Sequence, residues 1–144
     1  MKKILQVNKF YYPYIGGIET VVKYLAENFN DGEKWQTEVL VCQEKGSRKT
    51  EFINKVKVLR AGTLGVFLRM PISLDFFRFF KERSKEADLV VIHHPFPLAF
   101  LACFLLNKKP LIIWYHSDIV KQKITGKLIT PLILSLIHIS EPTR

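Results

Sequence analysis

Three short stretches of this chain hold residue types able to do chemistry. The first is Phe10-Tyr11-Tyr12-Pro13-Tyr14-Ile15-Gly16-Gly17-Ile18-Glu19, where two adjacent glycines lie between an apolar run and a helical pattern. Glycine lacks a Cβ, so Gly16 and Gly17 can take positive φ and let a ligand approach the main chain. The free N–H groups that open the following helix then favour an anion such as a phosphate. A tight strand–helix turn without a ligand explains the same glycines equally well. The second stretch is His93-His94, and the third is His116-Ser117-Asp118. Histidines 93, 94 and 116 with Asp118 could gather a metal, but no His-x-x-x-His spacing or cysteine ligand accompanies them, and no metal is expected. His116 can instead donate a hydrogen bond or move a proton, since imidazole titrates near neutrality, or serve only structure at a strand end. Asp118 can orient a hydroxylated substrate or cap the segment that follows it.

The elements that must position these residues follow from periodicity. Ile4-Leu5-Gln6-Val7 reads as a strand. Ile18, Val21, Val22, Leu25, Ala26 and Phe29 then make one apolar helical face with Glu19 in the first turn, stopped by Asn30-Asp31-Gly32. Glu38 to Cys42 is a second strand, Gln43 to Thr50 a polar loop, and Val56 to Ala61 a strand nearer an edge, because its alternation is broken by charge. Gly62 to Pro71 reads as a loop. Ser73 is placed to cap a helix carrying Leu74, Phe76, Phe77 and Phe80. That aromatic face is most simply core; lying on a membrane surface is the alternative. Leu89 to Ile92 is an apolar strand. Pro97 can open a helix whose residues from Leu98 to Leu106 are apolar all round, which predicts burial. Leu111 to Trp114 is a further strand. Continuous apolar strands alternating with helices mean an α/β fold, a Rossmann-like parallel sheet with helices on both faces.

Composition sets the outer bounds. The 144 residues suit one domain with a sizeable core, and 48% hydrophobic against 24% charged residues is ordinary globular usage. The net charge of +9 suits anionic lipid or phosphorylated small molecules. Its basic residues are spread along the chain rather than gathered in one arm, so no nucleic-acid partner is expected. Cys42 and Cys103 sit singly in apolar segments, the usage of buried hydrophobes in a reducing compartment. The N-terminus lacks an uninterrupted h-region, and the longest apolar run is too short to span a bilayer. A cytoplasmic protein, possible as a peripheral partner of the inner membrane face, is the expectation.

In an open parallel sheet, the loops leaving the carboxyl ends of the strands line one crevice. The glycine turn, His93-His94 and His116 to Asp118 all leave strands at that end, so residues distant in sequence are expected on one rim. The turn lacks the three glycines of a G-x-G-x-x-G fingerprint, and no Walker A loop is present. The residues alone therefore lead to a ligand-binding Rossmann-like domain.

Ile4 to Glu19 closely resembles the N-terminus of the glycosyltransferase family 4 enzymes. Trp114-Tyr115-His116-Ser117-Asp118-Ile119-Val120-Lys121-Gln122-Lys123 resembles a second stretch of the same family, and the likeness covers roughly residues 2–133. The resemblance implies the N-terminal, acceptor-side half of a GT-B architecture. It implies a retaining transfer of sugar from a nucleotide-sugar, a substrate and not a cofactor, to a glycan or lipid-linked acceptor in envelope polysaccharide synthesis. It implies Gly16 and Gly17 at the donor diphosphate and His116 as the catalytic residue facing the transferred sugar or acceptor hydroxyl. Acceptor placement would fall to Tyr12, Glu19, His94 and Asp118, which share the rim. The second half of such an enzyme, with its basic and glutamate motifs, is not in the sequence, so a domain over 1–133 that is incomplete and inactive alone is expected. Residues 134–144 resemble a translated sequencing adaptor, a non-native tail. A non-catalytic nucleotide- or phosphate-binding module is the alternative function, and a metal-dependent hydrolase a more distant one.

Overall fold

In the computed structural model, which describes residues 1–116, the apolar runs pair as the parallel-sheet reading predicts. The elements are β1 (Lys2–Val7), α1 (Gly17–Asn28), β2 (Trp35–Cys42), β3 (Lys49–Ile53), β4 (Val56–Ala61), β5 (Gly65–Phe67), β6 (Met70–Ile72), α2 (Leu74–Glu86), β7 (Leu89–His94), α3 (Pro97–Leu106) and β8 (Leu111–Tyr115). Six strands form one sheet in the order β3-β4-β2-β1-β7-β8, all parallel except β3. Asp118 and the segment 134–144 lie outside the described residues.

Side chains alternate across a strand, and the sheet accordingly has two cores. Leu5, Val7, Leu40, Cys42, Leu59, Ala61, Val90 and Ile92 face α2 and α3, where Phe76, Phe80, Phe96 and Phe100 fill the space. Val39, Val41, Val56 and Val58 face the other way, onto Val22 and Ala26 of α1 and onto Tyr11. The α/β class with helices on both faces is therefore the observed fold. The aromatic face of α2 is core, since Phe76 and Phe80 are fully buried; phenylalanines so placed are not available to a membrane. Ser73 caps that helix by accepting from the Phe76 N–H at 3.1 Å, a contact of a kind that contributes about 1 kcal/mol. Near the other end of α2, Arg83 donates from Nε and Nη2 to the two carboxylate oxygens of Glu38 at 2.7 and 2.6 Å, binding the helix to β2. Both cysteines are buried, and burial pushes the thiols of Cys42 and Cys103 up to about 12 and about 11.

Four local expectations are corrected. The polar stretch after β2 is a loop only as far as Arg48: Lys49–Ile53 folds back antiparallel on β4 and becomes the sheet edge, leaving β4 one position inside it. Asn54 and Lys55, both at positive φ, make the two-residue turn between them. The expected loop from Gly62 to Pro71 contains a small hairpin, β5–β6, whose tip places Leu68 and Arg69 at positive φ. Finally, α3 is not buried all round. Ala99, Phe100, Ala102 and Cys103 are covered, while Leu101, Phe104 and Leu105 are exposed. Among the described residues, α2, β6 and β7 pack only the inner side of this helix. Its uniform hydropathy gave no sign of which side that would be.

Candidate functional site

The strand order creates the site. From β1 the chain moves outward through β2 to β4 and β3, then returns across α2 to place β7 on the other flank of β1. The carboxyl ends of β1 and β7 therefore border the point where strand order reverses, where such sheets bind ligands. The loop Phe10 to Gly16 leaves β1 there, His93 and His94 end β7, and His116 follows β8.

The loop after β1 is fastened at its root and its middle. Asn8, buried, donates from Nδ2 to the Phe10 carbonyl at 2.9 Å, and the N–H of Cys42 donates to the Lys9 carbonyl at 3.0 Å. Arg60 of β4 donates from Nη2 to the Tyr12 carbonyl and from Nε to Glu51 of β3 at 2.6 Å. Tyr12 and Tyr14 are exposed beside a cleft of about 800 Å³ that is also lined by Gln43, Glu44, Lys45 and Arg60.

The two glycines serve differently from the expectation. Gly16 has φ −164°, extended backbone open to any residue, and neither glycine is at positive φ. What Gly16 provides is space: a Cβ there would meet the Glu19 carboxylate, 2.1 Å from its Oε2. Gly17 opens α1, and a Cβ at that position would meet nothing within 4 Å. No side chain caps the helix, so its first turn presents backbone N–H groups, with their partial positive charge, at the open end. The Glu19 carboxylate has folded back over Gly16 into this neighbourhood.

His93 and His94 are adjacent in sequence and separated in space, because successive side chains of a strand point to opposite faces. His93 lies on the α1 face and is fully buried. Its Nε2 is 2.7 Å from Oε1 of Gln6, and its Nδ1 is 2.9 Å from Nε2 of His116. The rings of His93, Trp114 and His116 stack, with interplanar angles of 16–25°. Burial, reinforced by His116 beside it, lowers the pKa of His93 to about 3, so this ring is neutral at any physiological pH. Burial lowers that of His116 as well, and the Glu19 carboxylate opposes the shift. Glu19 thus reaches His116 through its field, which brings the glycine turn and the third stretch into one site.

His94 belongs elsewhere. It is 3% exposed on the α3 face, stacked on Tyr115 at 4.7 Å and edge-on to Phe100. The shared-rim reasoning that grouped it with Tyr12 and Glu19 does not extend to it. Two residues were missed from the sequence, Gln6 and Arg60. Gln6 did leave a signal, a single amide in an otherwise apolar central strand. Arg60 left little, since a charge in β4 read simply as edge character. Among the described residues, no group of three or more His, Cys, Asp or Glu is placed to hold a metal ion, and no helix is long and apolar enough to cross a membrane.

Comparison with known proteins bears on the family and the fold. The chain is 32% identical over 139 residues to the D-rhamnosyltransferase WbpZ of Pseudomonas aeruginosa, covering 93% of this chain and 36% of the relative. It is 31% identical over 134 residues to the O-antigen chain mannosyltransferase C of Escherichia coli, covering 90% and 35%. The chain therefore spans about a third of the length of the curated relatives it matches. Among solved structures it is similar to sucrose-phosphate synthase from Thermosynechococcus elongatus, with a TM-score of 0.61 at 12% identity over 94% of this chain and 40% of that one. The family profile of Glycosyltransferase Family 4 matches residues 15–139, and with the sheet, the glycine turn and the histidine cluster in place, the chain belongs to that family.

Proposed function

We propose that this chain is the acceptor-side half of a retaining glycosyltransferase that moves a sugar from a nucleotide-sugar to a glycan or lipid-linked acceptor in envelope polysaccharide synthesis. The observation that carries this reading is the meeting of the Gly16-Gly17 turn, Glu19 and His116 at the switch point of the sheet. The uncapped N–H groups of α1 would stabilise charge developing on the leaving diphosphate. His116 would face the transferred sugar or the acceptor hydroxyl, and Tyr12, Glu19 and Asp118 would place the acceptor. The names of the two relatives, a rhamnosyltransferase and an O-antigen mannosyltransferase, support the polysaccharide context. The test is transfer by the full-length protein from a panel of nucleotide-sugars to lipid-linked glycan acceptors, with product anomers read by NMR. Transfer with retained configuration is expected. Nucleotide binding without transfer to any acceptor would leave a non-catalytic module and overturn the reading.

The +9 charge supports work at the inner face of the cell membrane, where anionic lipid attracts basic surface. Flotation of the full-length protein with liposomes checks this. Retention is expected on vesicles containing anionic lipid and should weaken with salt; equal binding to neutral vesicles would remove the electrostatic explanation.

A further inference from the structure

We propose that Gln6 is a positioning residue which, through His93, decides which ring nitrogen of His116 is left to meet a substrate. The hydrogen-bond chain is directional. An amide oxygen can only accept, so the His93 nitrogen 2.7 Å from Gln6 Oε1 carries the proton. A neutral imidazole has one N–H, and His93 Nδ1 therefore holds a lone pair. The His116 nitrogen 2.9 Å away must donate to it, which puts the His116 proton on Nε2. His116 Nδ1 is then the lone-pair nitrogen and points away from His93.

Burial keeps this order from reversing. His93 is fully buried and Gln6 is 3% exposed, so water does not compete for the contact between them. Trp114 stacks on both rings at 6.0 Å, which limits their rotation. Among the described residues, the carboxylate of Glu19 of α1 acts on His116 rather than on His93.

A chemical class follows. An imidazole nitrogen with a lone pair accepts from a hydroxyl and has nothing to offer a phosphate oxygen, which also only accepts. His116 is thereby matched to a sugar hydroxyl, on the donor sugar or the acceptor, while phosphate is left to the backbone N–H groups at Gly17. This division of labour rests on the glycosyltransferase reading; the proton positions themselves do not.

The experiment is NMR of the full-length protein labelled with ¹⁵N in its histidine rings. Long-range ring couplings should show His93 and His116 both as Nε2–H tautomers, with His93 unchanged down to pH 5. Finding His116 as the Nδ1–H tautomer would overturn the proposal, and this measurement needs no variant. Gln6→Leu removes the fixed acceptor and should mix or reverse both tautomers. Unaltered tautomers in a folded Gln6→Leu protein would also overturn it. In transfer assays, Gln6→Leu should lower kcat about 10- to 100-fold, the range for losing a group that orients a ring, with KM for the nucleotide-sugar little changed. Tautomers as expected with turnover unaffected would uphold the positioning by Gln6 and instead sink the catalytic role given to His116.

Discussion

Replacing His116 by alanine in the full-length enzyme is expected to lower turnover about 10²- to 10⁴-fold, the usual range for a side chain that moves or polarises a proton in the transition state. Folding should survive. His116 is only half-buried, and its loss frees one nitrogen of His93 while the Gln6 contact on the other side remains. The melting temperature should therefore stay within a few degrees of the parent. Steady-state kinetics alongside a thermal melt separate the two effects. Unchanged turnover would remove His116 from the chemistry, and a collapsed melt would mean that its role is structural. His116→Asn is a useful companion, since an amide can still accept from a hydroxyl; it should retain more activity than alanine.

The largest stability effect belongs to Glu38. Its carboxylate is 7% exposed and receives both forks of Arg83, with Lys57 Nζ a further 3.6 Å away. Glu38→Ala removes the bidentate partner and leaves the Arg83 guanidinium only the exposed Glu86 carboxylate at 3.2 Å; breaking one side of a buried pair costs up to about 3–5 kcal/mol. The pair stands near the C-terminal turn of α2, close to the amino end of β7 and away from the crevice. Urea denaturation should show the full loss, while turnover per folded molecule at low temperature stays near that of the parent. Replacing Glu38 and Arg83 together by leucine should recover most of the stability, because two apolar groups leave no charge stranded. A single replacement costing less than about 1 kcal/mol would show that the pair is solvated in practice.

Residue order revealed the architecture well, and for a simple reason. Strands buried on both faces must be continuous apolar runs, and Leu89 to Ile92 or Val39 to Val41 can hardly be anything else. The Ser73 cap and the Pro97 helix start were legible because their signals are local. What escaped depends on partners far away in sequence. Strand β3 is short, with two of its five residues charged, and only β4 beside it makes it a strand. The turn at Leu68-Arg69 has no glycine or asparagine to announce it. At the site, periodicity alone would have separated His93 from His94, had it been applied to the end of β7. The link from His93 to Gln6 spans 87 positions and His93 to His116 spans 23; no spacing rule joins such residues, and only the order of the strands does.

The tether at Arg60 has a consequence for how such enzymes can change. The aromatic loop is held by Arg60 of β4, itself braced by Glu51 at the outermost strand. The histidine chain hangs instead on β1, β7 and β8. One side of the crevice is thus rooted in β3 and β4 at one end of the described strand order, and the other in β1, β7 and β8. Substitutions along β3 can re-aim Tyr12 and its neighbours without moving a proton at His116. On the proposed function, preference for a new acceptor would then change along β3 while the histidine chain stays where it is.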